Sequence, residues 1–199
     1  MKLSKGLIVL GIVGVLVLSL LGWFVGCYND MVTQRKKVDT AFSKVDSAYQ
    51  RRFDLIPNLV ESVKGAQAQE QKVFGDLANA RARYSGAQTQ EAKIAAATQT
   101  ESALSRLLVV VENYPELRSN ETVQNLMVQL EGTENRIKVE RDNYSETANT
   151  YNTSIQRFPR NLLAGFFNFE KKPLFESNSG ADIAPNIDLT PTPQPVPAN

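Results

Sequence analysis

The chain of 199 residues carries a net charge of +1, with 22 Lys and Arg against 21 Asp and Glu, and 42% of its residues are hydrophobic. It contains no histidine and one cysteine, Cys27, which excludes histidine-based catalytic triads, zinc and haem sites that need imidazole or several thiolates, and an internal disulfide. It has no glycine pattern for phosphate or dinucleotide binding and no basic stripe interleaved with aromatic residues, so we expect no catalytic, cofactor-binding or metal site and no nucleic-acid partner.

The first element is an apolar segment, Leu7–Val25, that contains no charged residue. About 20 apolar residues at 1.5 Å each span the hydrocarbon core of a bilayer. The sequence therefore predicts a transmembrane anchor over residues 1–27, with the lipid bilayer as a partner. Lys2 and Lys5 before the segment nearly balance Arg35–Lys37 after it, so the positive-inside rule leaves the side of the membrane open.

An alternative for this N-terminus is a lipoprotein signal that is cleaved ahead of a lipidated Cys27. Lys2 and Lys5 precede the apolar segment and Gly26 precedes the cysteine, as in such signals. However, the segment exceeds the usual signal core of about 7–15 residues, and Phe24 stands where a small aliphatic residue is expected. We therefore favour an uncleaved anchor in the cell membrane. In either case the rest of the chain is tethered to a membrane.

Four amphipathic helices are predicted after the anchor. Apolar residues recur at intervals of three and four over residues 28–64, 67–84, 90–112 and 120–158. No segment alternates like a strand, so the predicted fold is all-α. Turn-forming and capping residues set the expected boundaries, namely a kink at Pro57, stops at Gly65, Gly86, Tyr114-Pro115 and Pro159, and an N-cap at Asn120.

The C-terminal part divides into a short apolar segment and a tail. Asn161–Phe169 reads NLLAGFFNF and is flanked by basic residues. It is predicted either to cover the open end of the helical domain or to lie at the membrane surface. Five of the nine prolines lie in the last fifteen residues, so we expect residues 171–199 to form a disordered tail.

Several long sequence blocks resemble the signature blocks of the bacterial LemA family. The resemblance runs from about residue 28 to residue 189, and its longest blocks are RRFDLIPNLVESVKG (Arg51–Gly65), SRLLVVVENYPELRSN (Ser105–Asn120), LEGTENRIKVERDNY (Leu130–Tyr144) and YNTSIQRFPRNLLAG (Tyr151–Gly165). It implies an N-terminal transmembrane helix followed by an antiparallel four-helix bundle, here residues 28–170. It implies no established activity, cofactor or substrate.

Three charged residues fall on stripes that are otherwise apolar. Arg52 lies between Tyr49 and Ile56, and Glu134 and Arg141 alternate with apolar residues in the fourth helix. Buried charges need partners, so we predict a structural network that fixes the register of the helices. An active site or ligand pocket inside the bundle is the alternative, and a solvated stripe at the edge of the bundle is a third interpretation.

The predicted topology assigns partners to these charges. If the fourth helix runs antiparallel to the first and Phe158 lies level with Tyr28, facing residue numbers sum to about 187, given equal rise in both helices. Arg52 is then expected near Glu134, and Asp46 is expected opposite Arg141.

The corner Glu112–Pro115 has two interpretations. Proline forces the preceding residue out of helical geometry and asparagine tolerates turns, which favours simple helix termination. A partner-binding corner is the alternative.

Two functional classes are compatible with these observations. We favour a non-enzymatic membrane-anchored scaffold or adaptor, because residue types for common catalytic sites are missing. Family members are often encoded beside membrane proteases, which suggests membrane or envelope proteins, including a membrane protease, as partners. The alternative is a membrane-tethered enzyme or ligand-binding protein that uses the Arg52/Glu134/Arg141 cluster.

Overall fold

The computed structural model describes residues 5–64 and 71–175, and all regular secondary structure within them is helical. The helices are α1 (Lys5–Lys64), α2 (Gln71–Gly86), α3 (Gln90–Asn113), α4 (Pro115–Arg118), α5 (Glu121–Gln156) and α6 (Arg160–Phe166). The predicted all-α fold is confirmed, and so is a long apolar N-terminal helix. The predicted stop at Gly65 and most of the predicted tail lie outside the described residues.

Helix α1 joins the apolar segment and the first amphipathic helix without a break. At 1.5 Å per residue its 60 residues extend about 90 Å. The helix continues through Pro57, which lacks the backbone donor for one hydrogen bond of the helix. The apolar segment therefore continues directly into the helix that supplies one side of the core.

Helices α1 and α5 pack against each other in antiparallel directions. Residue pairs across the two helices are Asp30 with Arg160 just beyond the end of α5, Phe42 with Tyr144, and Arg52 with Glu134. Fully or almost fully buried positions recur every seven residues along α1, at Met31, Val38, Val45, Arg52 and Leu59. Such spacing is typical of helices that pack with knobs-into-holes geometry.

Helices α2 and α3 form a second antiparallel pair. Arg83 of α2 donates to Gln99 of α3. Asp76, seven residues earlier in α2, pairs with Arg106, seven residues later in α3. Helix α3 runs parallel to α1, because Gln90 bonds to Asp39 and Glu101 bonds to Tyr49. Buried apolar residues from both helical pairs belong to one continuous core.

The ends of the helices largely follow local side-chain chemistry. Asn120 caps α5 by accepting from Thr122 and Val123, as predicted, and Thr89 caps α3. The predicted stop at Gly86 is confirmed, since α2 ends there, but Gly86 does not adopt the positive φ of a left-handed glycine cap. A backbone bond from Ala87 to Tyr84 of 3.3 Å closes that turn instead.

A left-handed cap ends α6. Asn168 has φ 53°, and the Phe169 N–H donates to the Ala164 carbonyl at 2.9 Å. This i to i−5 bond around a left-handed residue is the Schellman arrangement. It turns the chain back, and residues 169–175 then run without regular structure along the helices.

Candidate functional site

Arg52 and Glu134 form the cross-helix ion pair that antiparallel register predicts. The Arg52 side chain is 3% exposed, whereas the Glu134 side chain is 53% exposed. The arginine therefore lies in the core and reaches a carboxylate at the edge of the helical pair. Its Nε and Nη1 atoms are buried without a hydrogen-bond partner among the described residues.

Arg141 does not join this pair. Its guanidinium donates to Glu101 of α3 at 2.8 Å, and the same carboxylate oxygen accepts from the Tyr49 hydroxyl at 2.6 Å. The predicted pairing of Asp46 with Arg141 is therefore wrong. Arg52, Glu134 and Arg141 belong to two separate contacts rather than to one cluster.

Asp46 is the centre of a third polar contact. Its carboxylate accepts from Lys93 at 2.9 Å through both oxygens and from the Tyr84 hydroxyl at 3.0 Å. The Lys93 ammonium also lies 5.6 Å from the centre of the Tyr84 ring. Asp46 therefore ties α1 to α2 and α3.

The core stripe of α5 lies one residue before the predicted charges. Its buried members include Leu130, Thr133, Ile137, Glu140 and Tyr144, which follow alternating intervals of three and four. The prediction that Glu134 and Arg141 occupy core positions is therefore wrong.

Glu140 was missed as a buried charge. The residue is 5% exposed and pairs with Arg136 at 2.8 Å. Its position seven residues after Thr133 was the available signal, but both residues are polar and therefore carry no apolar pattern.

Four tyrosines of the core have hydroxyls that resist ionisation. Burial raises the pKa of Tyr49 far above its ordinary value, and the Glu101 carboxylate adds to the effect. Burial, followed by Asp46, raises the pKa of Tyr84 in the same way. Burial is also the largest cause of the raised pKa values of Tyr144 and Tyr151. At neutral pH these hydroxyls are therefore neutral hydrogen-bond donors.

Most of these polar contacts join neighbouring helices, whereas Arg136 and Glu140 pair within α5. Within residues 5–64 and 71–175, no three carboxylate or thiol side chains are grouped to hold a metal ion. Arg52 is closed off from solvent, and Arg141 and Glu101 are each about one quarter exposed. Among the carboxylates, Glu134 lies at the edge of the core and Glu140 is buried within it.

The corner Glu112–Pro115 terminates a helix, as the favoured interpretation predicts. Helix α3 ends at Asn113, Tyr114 has extended backbone geometry, and Pro115 begins α4. Proline suits this first helical position because its missing N–H would have no partner there.

A groove lies beside the junction of the apolar segment and the helical core. It has a volume of about 580 Å³, and its lining includes Trp23, Cys27, Gln34, Arg157 and Phe158. The thiol of Cys27 belongs to a residue that is 8% exposed within α1. The Oε1 atom of Gln34 is buried without a partner among the described residues.

The apolar segment NLLAGFFNF has two differently exposed faces. Ala164 and Phe169 are buried, and the Phe167 ring packs edge-to-face on Tyr28 at 4.8 Å and on Phe24 at 5.9 Å. Leu162 and Phe166 are 65% and 78% exposed. The segment therefore covers part of the core while it presents apolar side chains outward, so each predicted role is compatible with one face.

The start of the predicted tail is held against the helices. Asn152 bonds both backbone groups of Lys172 at 2.8 Å, and the Tyr144 hydroxyl donates to the Pro173 carbonyl at 2.7 Å. The Phe175 ring packs on Tyr144 and receives the Arg141 guanidinium at 4.6 Å. Residues 171–175 are thus an ordered part of the domain, because side chains of α5 satisfy their backbone.

Comparisons with known proteins place this architecture in a family. The LemA family profile matches residues 41–189. Magnetosome protein MamQ 1 and MamQ 2 of Paramagnetospirillum magneticum are each 28% identical over 181 residues, covering 78% of this chain and 66% of the relative. Protein LemA of Metamycoplasma hominis is 20% identical over 156 residues, covering 78% of this chain and 71% of the relative. The chain spans just under two thirds of the length of the two MamQ relatives.

The matched region contains the polar contacts of the core and the segment that covers its end. It includes Arg52, Glu134 and Arg141 as well as α6 and the docked residues after it. The match covers about three quarters of the chain, so the chain belongs to the LemA family.

Proposed function

We propose that this chain is a single-pass, membrane-anchored helical scaffold or adaptor of the bacterial envelope, without catalytic activity. The observation that carries the proposal is the continuity of α1 from Lys5 to Lys64. The most apolar 18 residues of this helix have a mean hydropathy of 2.4, and none of them is buried in the protein. A bilayer core of about 30 Å would cover these side chains.

Helices α1, α2, α3 and α5 would form an up-and-down four-helix bundle outside the membrane. This arrangement is supported by the antiparallel pairs α1 with α5 and α2 with α3, and by the parallel course of α1 and α3. The seven-residue spacing in α1 supports coiled-coil packing within it. A rigid rod that rises tens of ångströms from the bilayer suits a protein that holds others at a fixed height.

The polar contacts favour a scaffold over an enzyme. A pocket that used Arg52, Glu134 and Arg141 together would need them to converge, but Arg52 and Arg141 bind different carboxylates. The buried tyrosines are poor acid–base catalysts at neutral pH because their pKa values are raised. Each contact instead joins two helices, as expected for groups that fix the register.

The bilayer and other membrane or envelope proteins, including a membrane protease, are the proposed partners. At the end of the helical domain far from the apolar segment, a groove of about 540 Å³ includes Val111, Val123, Met127 and Val128 in its lining. Val128 is 68% exposed. A partly apolar groove at this end would be available to a partner protein whose own domain reaches the same height above the membrane.

Photo-crosslinking tests the proposal. A photo-crosslinking amino acid at position 128 in intact membranes should form covalent adducts with a small, reproducible set of membrane or envelope proteins. The same amino acid at position 139, which is 61% exposed on the middle of α5, should not give these adducts. Identical adducts from both positions, or none from either, would contradict an adaptor role for the distal end.

The lipoprotein alternative makes a separate prediction about mass. An uncleaved anchor requires that protein purified from membranes retain the residues before Cys27. A mass that lacks these residues and includes acyl chains would establish anchoring through Cys27 instead.

A further inference from the structure

The turn after α5 and the outer face of α6 expose three large apolar side chains. Phe158 is 79% exposed, Leu162 65% and Phe166 78%. They fall within nine residues of one another and outside the apolar segment of α1. Exposed apolar groups concentrated in this way mark an interaction surface more often than single exposed residues do.

The opposite face of the same segment fixes its height along α1. Phe167 packs on Phe24 and Tyr28, and Phe169 packs on Tyr28 at 5.8 Å. The rings of Phe166 and Phe167 lie 5.0 Å apart. Phe166 is therefore held beside the final residues of the apolar segment Leu7–Val25.

Phe158 also lies close to the end of the apolar segment. It lines the groove that also contains Trp23, the residue before Phe24. If Leu7–Val25 spans the bilayer, Trp23 and Phe24 lie at the boundary between acyl chains and headgroups. Phe158 and Phe166 are then held at this boundary, where lipid can cover their exposed side chains.

The charges around the segment match an anionic surface. Arg157 and Lys171 are exposed, and Arg160 is one third exposed and pairs with Asp30 at 2.7 Å. The exposed Glu170 is the acidic neighbour that opposes them. The net charge of these residues remains positive. Basic residues beside inserted apolar groups favour binding to anionic headgroups.

We infer that α6 and the turn before it form a second membrane contact, which lays Phe158, Leu162 and Phe166 into the headgroup boundary of an anionic bilayer. This inference rests on the proposed transmembrane anchor. A contact beside the anchor would stop the helical domain from tilting freely about the end of the span. The outer face of α6 is thereby a surface for lipid rather than for protein.

Fluorescence quenching in reconstituted vesicles tests the inference with the full chain. Trp23 is the single tryptophan, so the native protein reports on the anchor. A Phe166→Trp variant in a Trp23→Phe background reports on α6, and Val139→Trp in the same background is the matched exposed control. The vesicles contain anionic phosphatidylglycerol and phosphatidylcholine with bromine on the upper acyl chain.

The inference predicts that emission from Phe166→Trp falls by roughly half or more, because interfacial side chains reach about 5–10 Å into this boundary. Emission from Val139→Trp should remain unchanged, and Phe158→Ser with Leu162→Ser should reduce quenching in the Phe166→Trp protein. Unquenched Phe166→Trp beside quenched native Trp23 would overturn the α6 contact and leave the anchor standing. Unquenched native Trp23 would overturn the anchor itself.

Discussion

Arg52 occupies a buried position in α1, and the residues seven positions before and after it are Val45 and Leu59. Val45 and Leu59 are 1% and 0% exposed, and Arg52 is 3% exposed. A charge at such a position costs desolvation energy but disfavours every register in which it loses its partner. Glu134 is that partner, so this pair favours one alignment of α1 with α5 over its neighbours.

Removal of the carboxylate should leave the buried guanidinium without its ion-pair partner. Glu134→Gln is expected to reduce the free energy of unfolding by about 1–3 kcal/mol, at the lower end of buried pairs because Glu134 is half exposed. Arg52→Met combined with Glu134→Gln should lose less than the sum of the single losses. Denaturant unfolding of the detergent-solubilised protein measures this cycle.

Glu131→Gln is the matched control for that cycle. Glu131 is an exposed carboxylate three residues earlier in α5, and its substitution should change stability by less than about 0.5 kcal/mol. Additive losses for Arg52 and Glu134 would show that the two side chains do not act as a pair.

The buried tyrosines predict a loss of stability at alkaline pH. Their folded pKa values are raised, so their stabilising contribution is complete below the unfolded value of about 10 and falls as pH rises above it. Each group lowers the free energy of unfolding by up to about 1.4 kcal/mol per pH unit in this range.

Tyr49→Phe isolates this effect from the titration of lysines. The variant loses a hydrogen bond to Glu101 and should be less stable at neutral pH, but its stability should decline less steeply above pH 10. Chemical unfolding at several pH values gives both slopes. Equal slopes for the two proteins would refute a raised folded pKa at Tyr49.

For the helices, the sequence predicts length and relative direction best. Apolar periodicity and the Asn120 cap place α5 to within a few residues, and antiparallel direction alone brings Arg52 to Glu134. Rotation about the helix axis is harder to predict. The stripe passes through Thr133 and Glu140, and two polar residues carry no hydrophobic signal that distinguishes them from the charges beside them.

Contacts that involve a third helix could not be derived from register. Asp46 lies near the height of Arg141 but faces α2 and α3, where Tyr84 and Lys93 compete for it. Likewise, the docking of residues 171–175 depends on Asn152 and Tyr144 of α5. The proline-rich residues further along predict a tail without structure from residue 171, but tertiary hydrogen bonds hold residues 171–175 against the helices.

The cap of α6 provides a test of one local element. Asn168→Val should destabilise the protein by about 1–2 kcal/mol, because a branched side chain is strained at positive φ. Asn168→Gly should be tolerated, since glycine adopts this conformation freely. Thermal unfolding compares them, and equal effects of valine and glycine would show that the cap does not determine stability.

As a whole, the molecule combines a proposed anchor and half of a core in one helix. Because the continuous core cluster begins in α1 at Met31, the boundary between anchor and domain falls near Tyr28. A truncated protein that begins at Tyr28 should be soluble, monomeric and mostly helical by circular dichroism. A truncated protein that stays unfolded or aggregates would contradict a domain that folds without its anchor.

The central claim is that the apolar part of α1 lies in a bilayer while the rest of that helix stands in water. Cysteine accessibility tests this claim in opened membranes without detergent, with Cys27→Ala as the background. Leu16→Cys should resist a water-soluble maleimide because bilayer burial excludes the reagent and disfavours the thiolate, whereas Val139→Cys should react readily. Reaction of Leu16→Cys at the rate of Val139→Cys would contradict the membrane-spanning assignment of α1.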